Sequence, residues 1–258
     1  MKNWAELVDE EAEGLSLGLS LRTYPGKRAE LITYRHDPSR KKPGGKRRVS
    51  ARHYQDEETI QAAVRRARRT IREKCLSIEA DHMFTLTTRA NVQNIDLFYG
   101  WFVKWIRRLR DNGIVFPYIA VAELQKRGAI HIHLATNRFL PVKVLHYHWN
   151  KIIENTDGNV DAKYFTGTRT RHRTYKWQPE KLAYYIAKYI GKETVAEFGR
   201  KRYRTSLNIK VAKQQYFTGF GLSSFYLAKI FESITDLPAR SKTTLDYNVV
   251  WIASWDMT

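Results

Sequence analysis

The chain of 258 residues is 43% hydrophobic and 13% aromatic, enough for a core of domain size. With 45 Lys+Arg against 26 Asp+Glu, its formal net charge of +19 exceeds what solubility needs and favours a polyanionic partner, most simply nucleic acid. The single Cys75 excludes an internal disulfide, the start lacks the long apolar core of a signal peptide, and no apolar run approaches bilayer length; a soluble cytoplasmic protein with no membrane partner is expected.

Residues 1–50 read as irregular, with an acidic first segment and Gly/Ser/Leu-rich spacing from Gly14 to Ser20. Between Arg35 and Arg52 stand eight Lys or Arg against one acid, broken by Pro38 and Pro43, which reads equally as a flexible basic arm and as a solvated tail. From Asp56 to Ile78, Ile60, Val64, Ala67 and Ile71 recur at helical spacing while Arg65, Arg66, Arg68, Arg69 and Arg72 fall elsewhere. This predicts a helix that packs by one side and shows guanidinium groups on the other.

Met83 to Thr88 reads as a strand with Phe84 and Leu86 on one face and Thr85 and Thr87 on the other. Asp96 is placed to cap a helix from Leu97 to Arg110, whose Phe98, Trp101, Trp105 and Leu109 form an apolar stripe and whose end is marked by Asp111, Asn112 and Gly113. Tyr118 to Leu124 is β-branched and apolar, Gln125 to Gly128 is turn-like, and Ala129 to Ala135 resumes alternation, which predicts a β-hairpin. Successive strand side chains point to opposite faces, so His131 and His133 stand side by side with Ile132 behind them, and Glu123 on the partner strand reaches the same face. Two imidazoles and a carboxylate converging there make a facial metal site with open positions for a substrate.

The chain supplies its own control in His146 and His148, which have the same spacing among Val142, Leu145, Trp149, Ile152 and Ile153 at helical periodicity. Two residues apart on a helix, at about 100° each, they diverge by roughly 200° and cannot chelate one ion. A short strand from Val160 to Tyr164 completes the order β, α, β, β, α, β. That predicts an α+β fold: the ferredoxin-like split β-α-β arrangement of an antiparallel sheet with flanking helices.

Thr166 to Trp177 carries Arg169, Arg171, Arg173 and Lys176 without an acid and reads as a mobile loop tracking phosphates. Pro179 opens a helix from Glu180 to Ile190 with Leu182, Ala183, Ile186, Ala187 and Ile190 on one apolar face. Tyr185 and Tyr189, four apart, stack along a border of that face; Lys181, Lys188 and Lys192 form a row outside them, and Tyr184 points elsewhere. Gly199 to Lys213 is again basic without an acid, Phe220 to Ile234 reads as helical, and Val249 to Trp255 as an edge strand or packed tail. Three regions are expected: a basic extension with one amphipathic helix over 1–80, a core over 81–195, and a basic segment with a helix over 196–258, packed on the core.

Taken together, Phe84 to Thr88, then Glu123 with His131 and His133, then Tyr185 with Lys188 and Tyr189 resemble the three motifs of the HUH endonucleases. They most resemble those of the two-tyrosine rolling-circle replication initiators of small bacteriophages and related plasmids, over about residues 82–192. The resemblance implies an HUH nuclease fold with Tyr185, Tyr189 and Lys188 catalytic, and Mg²⁺ or Mn²⁺ held by Glu123, His131 and His133. It implies a single-strand endonuclease and strand transferase that nicks a single-stranded DNA origin, in some cases a hairpin, in a bacterial host's cytoplasm. A 5′-phosphotyrosine and a free 3′-hydroxyl result, with host helicase and single-strand-binding protein as further partners. A single-tyrosine HUH transposase or relaxase, and a non-catalytic single-stranded-DNA-binding or regulatory protein, are the competing readings. No Gly-x-x-x-x-Gly-Lys-Ser/Thr phosphate loop occurs in the 258 residues, so the helicase fused to some viral initiators is not encoded in them.

Overall fold

A computed structural model describes residues 16–25, 28–36, 57–125, 127–153, 158–163, 176–190, 203–207, 209–211, 215–219, 241–245 and 249–256. In chain order the elements are β1 (Ser16–Tyr24), β2 (Arg28–His36), α1 (Glu57–Ser77), β3 (His82–Thr88), α2 (Ile95–Asp111), β4 (Ile119–Leu124) and β5 (Ile130–Thr136). There follow α3 (Val142–Ile153), β6 (Gly158–Ala162), α4 (Pro179–Ala187), β7 (Tyr203–Thr205), β8 (Gln215–Gly219), β9 (Ser241–Leu245) and β10 (Val249–Asp256). Two compact units result, Met1–Arg48 with Ala212–Thr258, and Val49–Val211, so the divisions fall after Arg48 and Val211 rather than near 80 and 195. Among the described residues no helix is long and apolar enough to cross a membrane.

The first unit is an antiparallel sheet in the order β8-β1-β2-β10-β9. Residues 16–24 and 28–36, expected to be irregular, are its paired strands β1 and β2. The reason is a period of two hidden by composition: Leu17, Leu19 and Leu21 alternate with Gly18 and Ser20, and alternation decides a strand more strongly than Gly/Ser content disfavours it. Arg22 pairs with Glu30 across the hairpin, and Ser20, Arg22, Tyr24 and Glu30 are buried. The final strand β10 is interior, between β2 and β9, and not the edge strand or tail expected of it. The helix expected over 220–234 and the basic stretch beyond His36 lie outside the described residues.

In the second unit the sheet order is β6-β3-β5-β4-β7, antiparallel throughout. Its first four strands follow the fourth-first-third-second order of the split β-α-β-β-α-β arrangement, so the expected α+β ferredoxin-like fold is borne out. The short β7, within the basic stretch after Gly199, adds a fifth strand on β4; three residues are too few to signal themselves by pattern.

One face of this sheet builds the core. Phe84, Leu86, Ile130, Ile132 and Leu134 project into it and meet Phe98, Phe102, Trp105 and Leu109 of α2 and Leu145 and Trp149 of α3. Trp101, expected in the stripe, stays partly exposed at its rim. The cap of α2 is Asn94 rather than Asp96: its Oδ1 accepts from the backbone N–H of Asp96 and Leu97 at 3.0 Å each. The two indoles buried in this core are satisfied, Trp105 Nε1 donating to the Leu145 carbonyl at 3.2 Å and Trp149 Nε1 to that of Thr87 at 3.0 Å. The histidines of α3 part as helical geometry requires: His146 bonds the Gly158 carbonyl and His148 accepts from Arg108.

The opposite face, with Thr85, Glu123, His131 and His133, is covered by α1 and α4, which pack against each other. Val64, Ile71, Cys75 and Leu76 are the buried hydrophobic residues of α1, while Ile60 is exposed. Because Trp149 is fully buried and ties α3 to β3, Trp149→Ala should cost about 3–5 kcal/mol of stability, read as a lowered guanidinium unfolding midpoint.

Candidate active site

The hairpin register sets the first half of the site. Glu123 pairs directly with His131, Val121 with His133, and Thr85 of β3 with His133 from the other side, so these side chains share a face. The turn that fixes this register closes with Gln125 N–H to the Ala129 carbonyl at 2.9 Å and holds Gly128 at φ 85°, a conformation suited to glycine.

His133 is held at both ring nitrogens. Its Nε2 donates to Glu123 Oε2 at 2.7 Å, which leaves Nδ1 to accept from the Thr85 hydroxyl at 3.1 Å. Burial lowers its pKa, and the charges of Lys163 and Lys188 act the same way against the bond and charge of Glu123. His131 is brought down to about 4, first by burial, then by His133 and Arg127, with Glu123 opposing. Both imidazoles are therefore neutral near pH 7, the form that ligates metals.

Two observations bear on a metal. His131 Nδ1 meets the Gln125 side-chain amide at 3.0 Å, and its Nε2 is buried with no hydrogen-bond partner, an orphaned polar atom of the kind a cation would satisfy. Turning over the Gln125 amide would let it accept from Nδ1 and leave Nε2 its lone pair. Against this, no group of three His, Cys, Asp or Glu among the described residues is arranged to hold an ion, and Glu123 and His133 are bonded to each other. The donor types fit a divalent cation.

The second half of the site comes from α4 and the turn after it. Pro179 starts the helix, and Leu182, Ala183 and Ile186 bury its inner face completely. The helix ends at Ala187, shorter than expected: Tyr189 N–H bonds the Ile186 carbonyl at 3.3 Å and Ile190 N–H that of Ala187 at 3.1 Å, a tighter turn. Tyr189 thus stands two residues beyond the helix, after the cap at Lys188. Arg68 of α1 donates from Nε to the Ile190 carbonyl at 2.7 Å and fixes that turn. Arg72 lies 5.3 Å over the ring of Tyr184, which is 59% exposed and points away from the site. Part of the arginine face expected to meet solvent therefore holds the tyrosine helix.

Tyr189 is only 4% exposed, its ring stacked on that of His133 with centroids 3.9 Å apart and planes 13° from parallel. Its hydroxyl donates to the Tyr185 hydroxyl oxygen at 2.6 Å. Tyr185 is half-buried, packed against Trp177 with centroids 5.1 Å apart, with Lys188 Nζ 3.8 Å from its ring centroid. Lys163 Nζ donates to the same Tyr185 oxygen. Burial pushes the Tyr185 phenol up, but the bonds from Lys163 and Tyr189 and the charges of Lys163 and Lys188 outweigh it and lower its pKa. Tyr189 is raised, by burial first and then by Tyr185 and Glu123. The same contact thus pushes the two phenols in opposite directions.

Every sequence-predicted site residue lies on this face: Glu123, His131 and His133 on the sheet, Tyr185, Lys188 and Tyr189 above them. Lys192 and most of the basic loop before Trp177 lie outside the described residues, and the loop's last residues are engaged, Lys176 at 3.5 Å from Asp81 and Trp177 buried. Lys163 and Trp177 were not foreseen. Nothing in their spacing marks them, since a lysine after an edge strand is ordinarily solvated.

Residues 81–194, which span the whole site, match a family of replication-associated proteins, the ORF2 group, in agreement with the resemblance carried by the motifs. No curated protein and no solved structure matches the chain.

The Arg68 contact sets an expectation of its own. A hydrogen bond from a charged donor contributes about 1.5–3 kcal/mol, so Arg68→Ala should speed amide hydrogen exchange at Tyr189 and Ile190 by about 10-fold or more. Unchanged protection there would mean that the turn does not depend on the guanidinium.

Proposed function

We propose that the protein is a rolling-circle replication initiator of the HUH type, which nicks single-stranded DNA by tyrosine transesterification. One observation carries the reading: Tyr189 lies on His133, which brings a tyrosine pair onto a histidine pair inside a stretch that matches a replication-associated family. The family match by itself supports the coarser statement, a role in replication initiation.

His131, His133 and Glu123 would hold Mg²⁺, or Mn²⁺ as an easy substitute given two imidazoles. When bound, the ion supplies Lewis-acid stabilisation of charge on the scissile phosphate. The protein's own groups do the rest. A tyrosine Oη attacks phosphorus, the O–P bond forms, and the P–O3′ bond breaks with its electron pair on the 3′-oxygen, which takes up a proton. The products are a 5′-phosphotyrosine and a 3′-hydroxyl from which synthesis starts. One phosphodiester replaces another, so the step reverses and strands can be rejoined. A phenol with pKa near 10 is a weak nucleophile at neutral pH, which is why cations beside it matter. Lys188, near both rings, adds positive charge where the phosphoryl group would sit. A second tyrosine permits a second transfer while the first is still esterified. Single-stranded origin DNA is the substrate in this reading, and extension calls on host helicase and single-strand-binding protein.

The deep burial of Tyr189 favours one alternative, a single-tyrosine transposase or relaxase; full multi-step activity of Tyr189→Phe would support it.

The test is incubation with Mn²⁺ and labelled single strands tiling the replicon or neighbouring DNA, followed by a denaturing gel with and without chelator. The expected product is an SDS-stable, protease-sensitive adduct that chelator abolishes. The double variant Tyr185→Phe/Tyr189→Phe should give none, and His131→Ala or His133→Ala should reduce it by about 100-fold. Cleavage without an adduct would mean a hydrolase instead. Binding without cleavage on strands that include the origin would mean a non-catalytic DNA-binding protein.

A further inference from the structure

His131 has one ring nitrogen engaged and one orphaned, and the engaged one decides the state of the other. The Gln125 side-chain amide sets its Nε2 group 3.0 Å from His131 Nδ1, so Nδ1 is the acceptor and the ring proton sits on Nε2. That Nε2 is buried, and no group accepts from it. A nitrogen that holds a proton cannot also give its lone pair to an ion. The contact with Gln125 therefore selects the tautomer in which His131 cannot ligate through Nε2.

The amide is kept in that orientation by Arg127, whose Nε lies 3.4 Å from Gln125 Oε1 and donates to it. A guanidinium has no acceptor, so the end of the amide that faces it must be the oxygen. An amide's orientation follows from its partners, and here both partners agree. The rest of the guanidinium lies on two backbone carbonyls, Nη2 on that of Thr88 at 3.2 Å and Nη1 on that of Arg89 at 3.4 Å. Charge-assisted bonds are about 2.7–2.9 Å long when well made, so Arg127 is weakly seated. Its side chain is exposed, and its backbone is held independently, Asn91 Nδ2 donating to the Arg127 carbonyl at 3.0 Å. The guanidinium can leave while the turn stays.

We propose that Arg127, acting through the Gln125 amide, keeps His131 in the tautomer that cannot ligate, and that a phosphate of single-stranded DNA releases it by drawing the guanidinium away. This rests on the reading of His131 as a metal ligand and of DNA as the substrate. A phosphodiester offers two charged oxygens to the planar fork of a guanidinium, a better match than three neutral oxygens at long range. With Arg127 gone, the amide turns over and its oxygen accepts from Nδ1–H. The proton on Nε2 goes to water and Nδ1 takes one from water, so the ring stays neutral. Nε2 then carries the lone pair that a cation needs, on the sheet face that His131 shares with Glu123 and His133. Gln125 and Arg127 are positioning residues, since both act through His131. Strand and cation each then favour binding of the other, by the same factor.

The experiment uses the full, metal-free chain with isotope-labelled histidines. Long-range proton–nitrogen NMR correlation reads which nitrogen of His131 carries the proton, and the His131→Ala spectrum identifies the ring. The wild type should show Nε2–H, and Nδ1–H once saturated with single-stranded oligothymidylate. Arg127→Met should show Nδ1–H without any strand. Mn²⁺ binding, followed by the EPR signal of the unbound ion and with no turnover, should tighten about 10-fold in Arg127→Met. Loss of a positive charge could tighten it too, so the double variant Arg127→Met/Gln125→Leu, of the same charge but without the acceptor, should lose the gain. Unfolding midpoints serve as the folding control. Should Arg127→Met not fold, Gln125→Glu replaces it: a carboxylate only accepts, so His131 should again show Nδ1–H. Nδ1–H in the strand-free wild type, Nε2–H in either single variant, an unmoved tautomer with the strand bound, or a double variant that binds Mn²⁺ as tightly as Arg127→Met would overturn the proposal. A tautomer that moves as expected in the variants while Mn²⁺ binding is absent or indifferent to His131→Ala, or a chain that binds no strand, would instead overturn the reading on which it rests.

Discussion

The flat contact between the rings of Tyr189 and His133 joins two parts of the second unit that are far apart in sequence. On one side it requires the hairpin register, since a slip of one residue between β4 and β5 would send Glu123, His131 and His133 to different faces. On the other it requires α4 to end where it does, so that the turn after Ala187 lowers Tyr189 towards the sheet. Neither half makes a site alone. The apolar face of the same sheet, packed on α2 and α3, fixes the plane against which both are set.

The polar face of the sheet is buried without being apolar, and the price is a set of obligatory bonds. His133 satisfies both nitrogens locally, with Thr85 and Glu123, whereas His131 satisfies one. Arginines that composition alone assigns to solvent or to nucleic acid are partly engaged within the protein: Arg68 at the end of the tyrosine turn, Arg72 over Tyr184, Arg69 with Glu73 at 2.7 Å. A net charge of +19 thus describes the field around the molecule better than it counts the groups open to a ligand.

What was legible in the sequence was what periodicity and pairing determine. Alternation along 119–124 and 130–136 placed Glu123, His131 and His133 on one face, and the 3.6-residue period of 180–190 placed Tyr185 and Tyr189 together and Tyr184 apart. What was not legible depends on tertiary contacts between segments far apart in the chain. Lys163 became part of the site because its strand ends beside Met83 and Trp177, and no local pattern encodes that. The early end of α4 shows in the tight bonds of Tyr189 and Ile190 N–H to Ile186 and Ala187, in a turn whose last carbonyl is held by an arginine from another helix. In the first unit the failure was compositional: Gly and Ser concealed an alternating leucine pattern that makes β1 a strand.

The first unit draws its strands from both flanks of the second, since β1 and β2 precede it while β8, β9 and β10 follow it. During synthesis the hairpin of β1 and β2 emerges before the second unit, and the strands that cover its two sides, β8 and β10, emerge only after it. The sheet of the second unit, continuous in sequence, can close on the ribosome in the meantime. Until β8 and β10 have emerged, the nascent chain therefore carries a two-stranded ribbon with both edges unpaired, a form marginal in water and prone to recruit other strands. The order of ribosomal emergence thus leaves the β1–β2 hairpin, unlike the sheet that carries the histidines, waiting for partners encoded beyond an entire intervening unit.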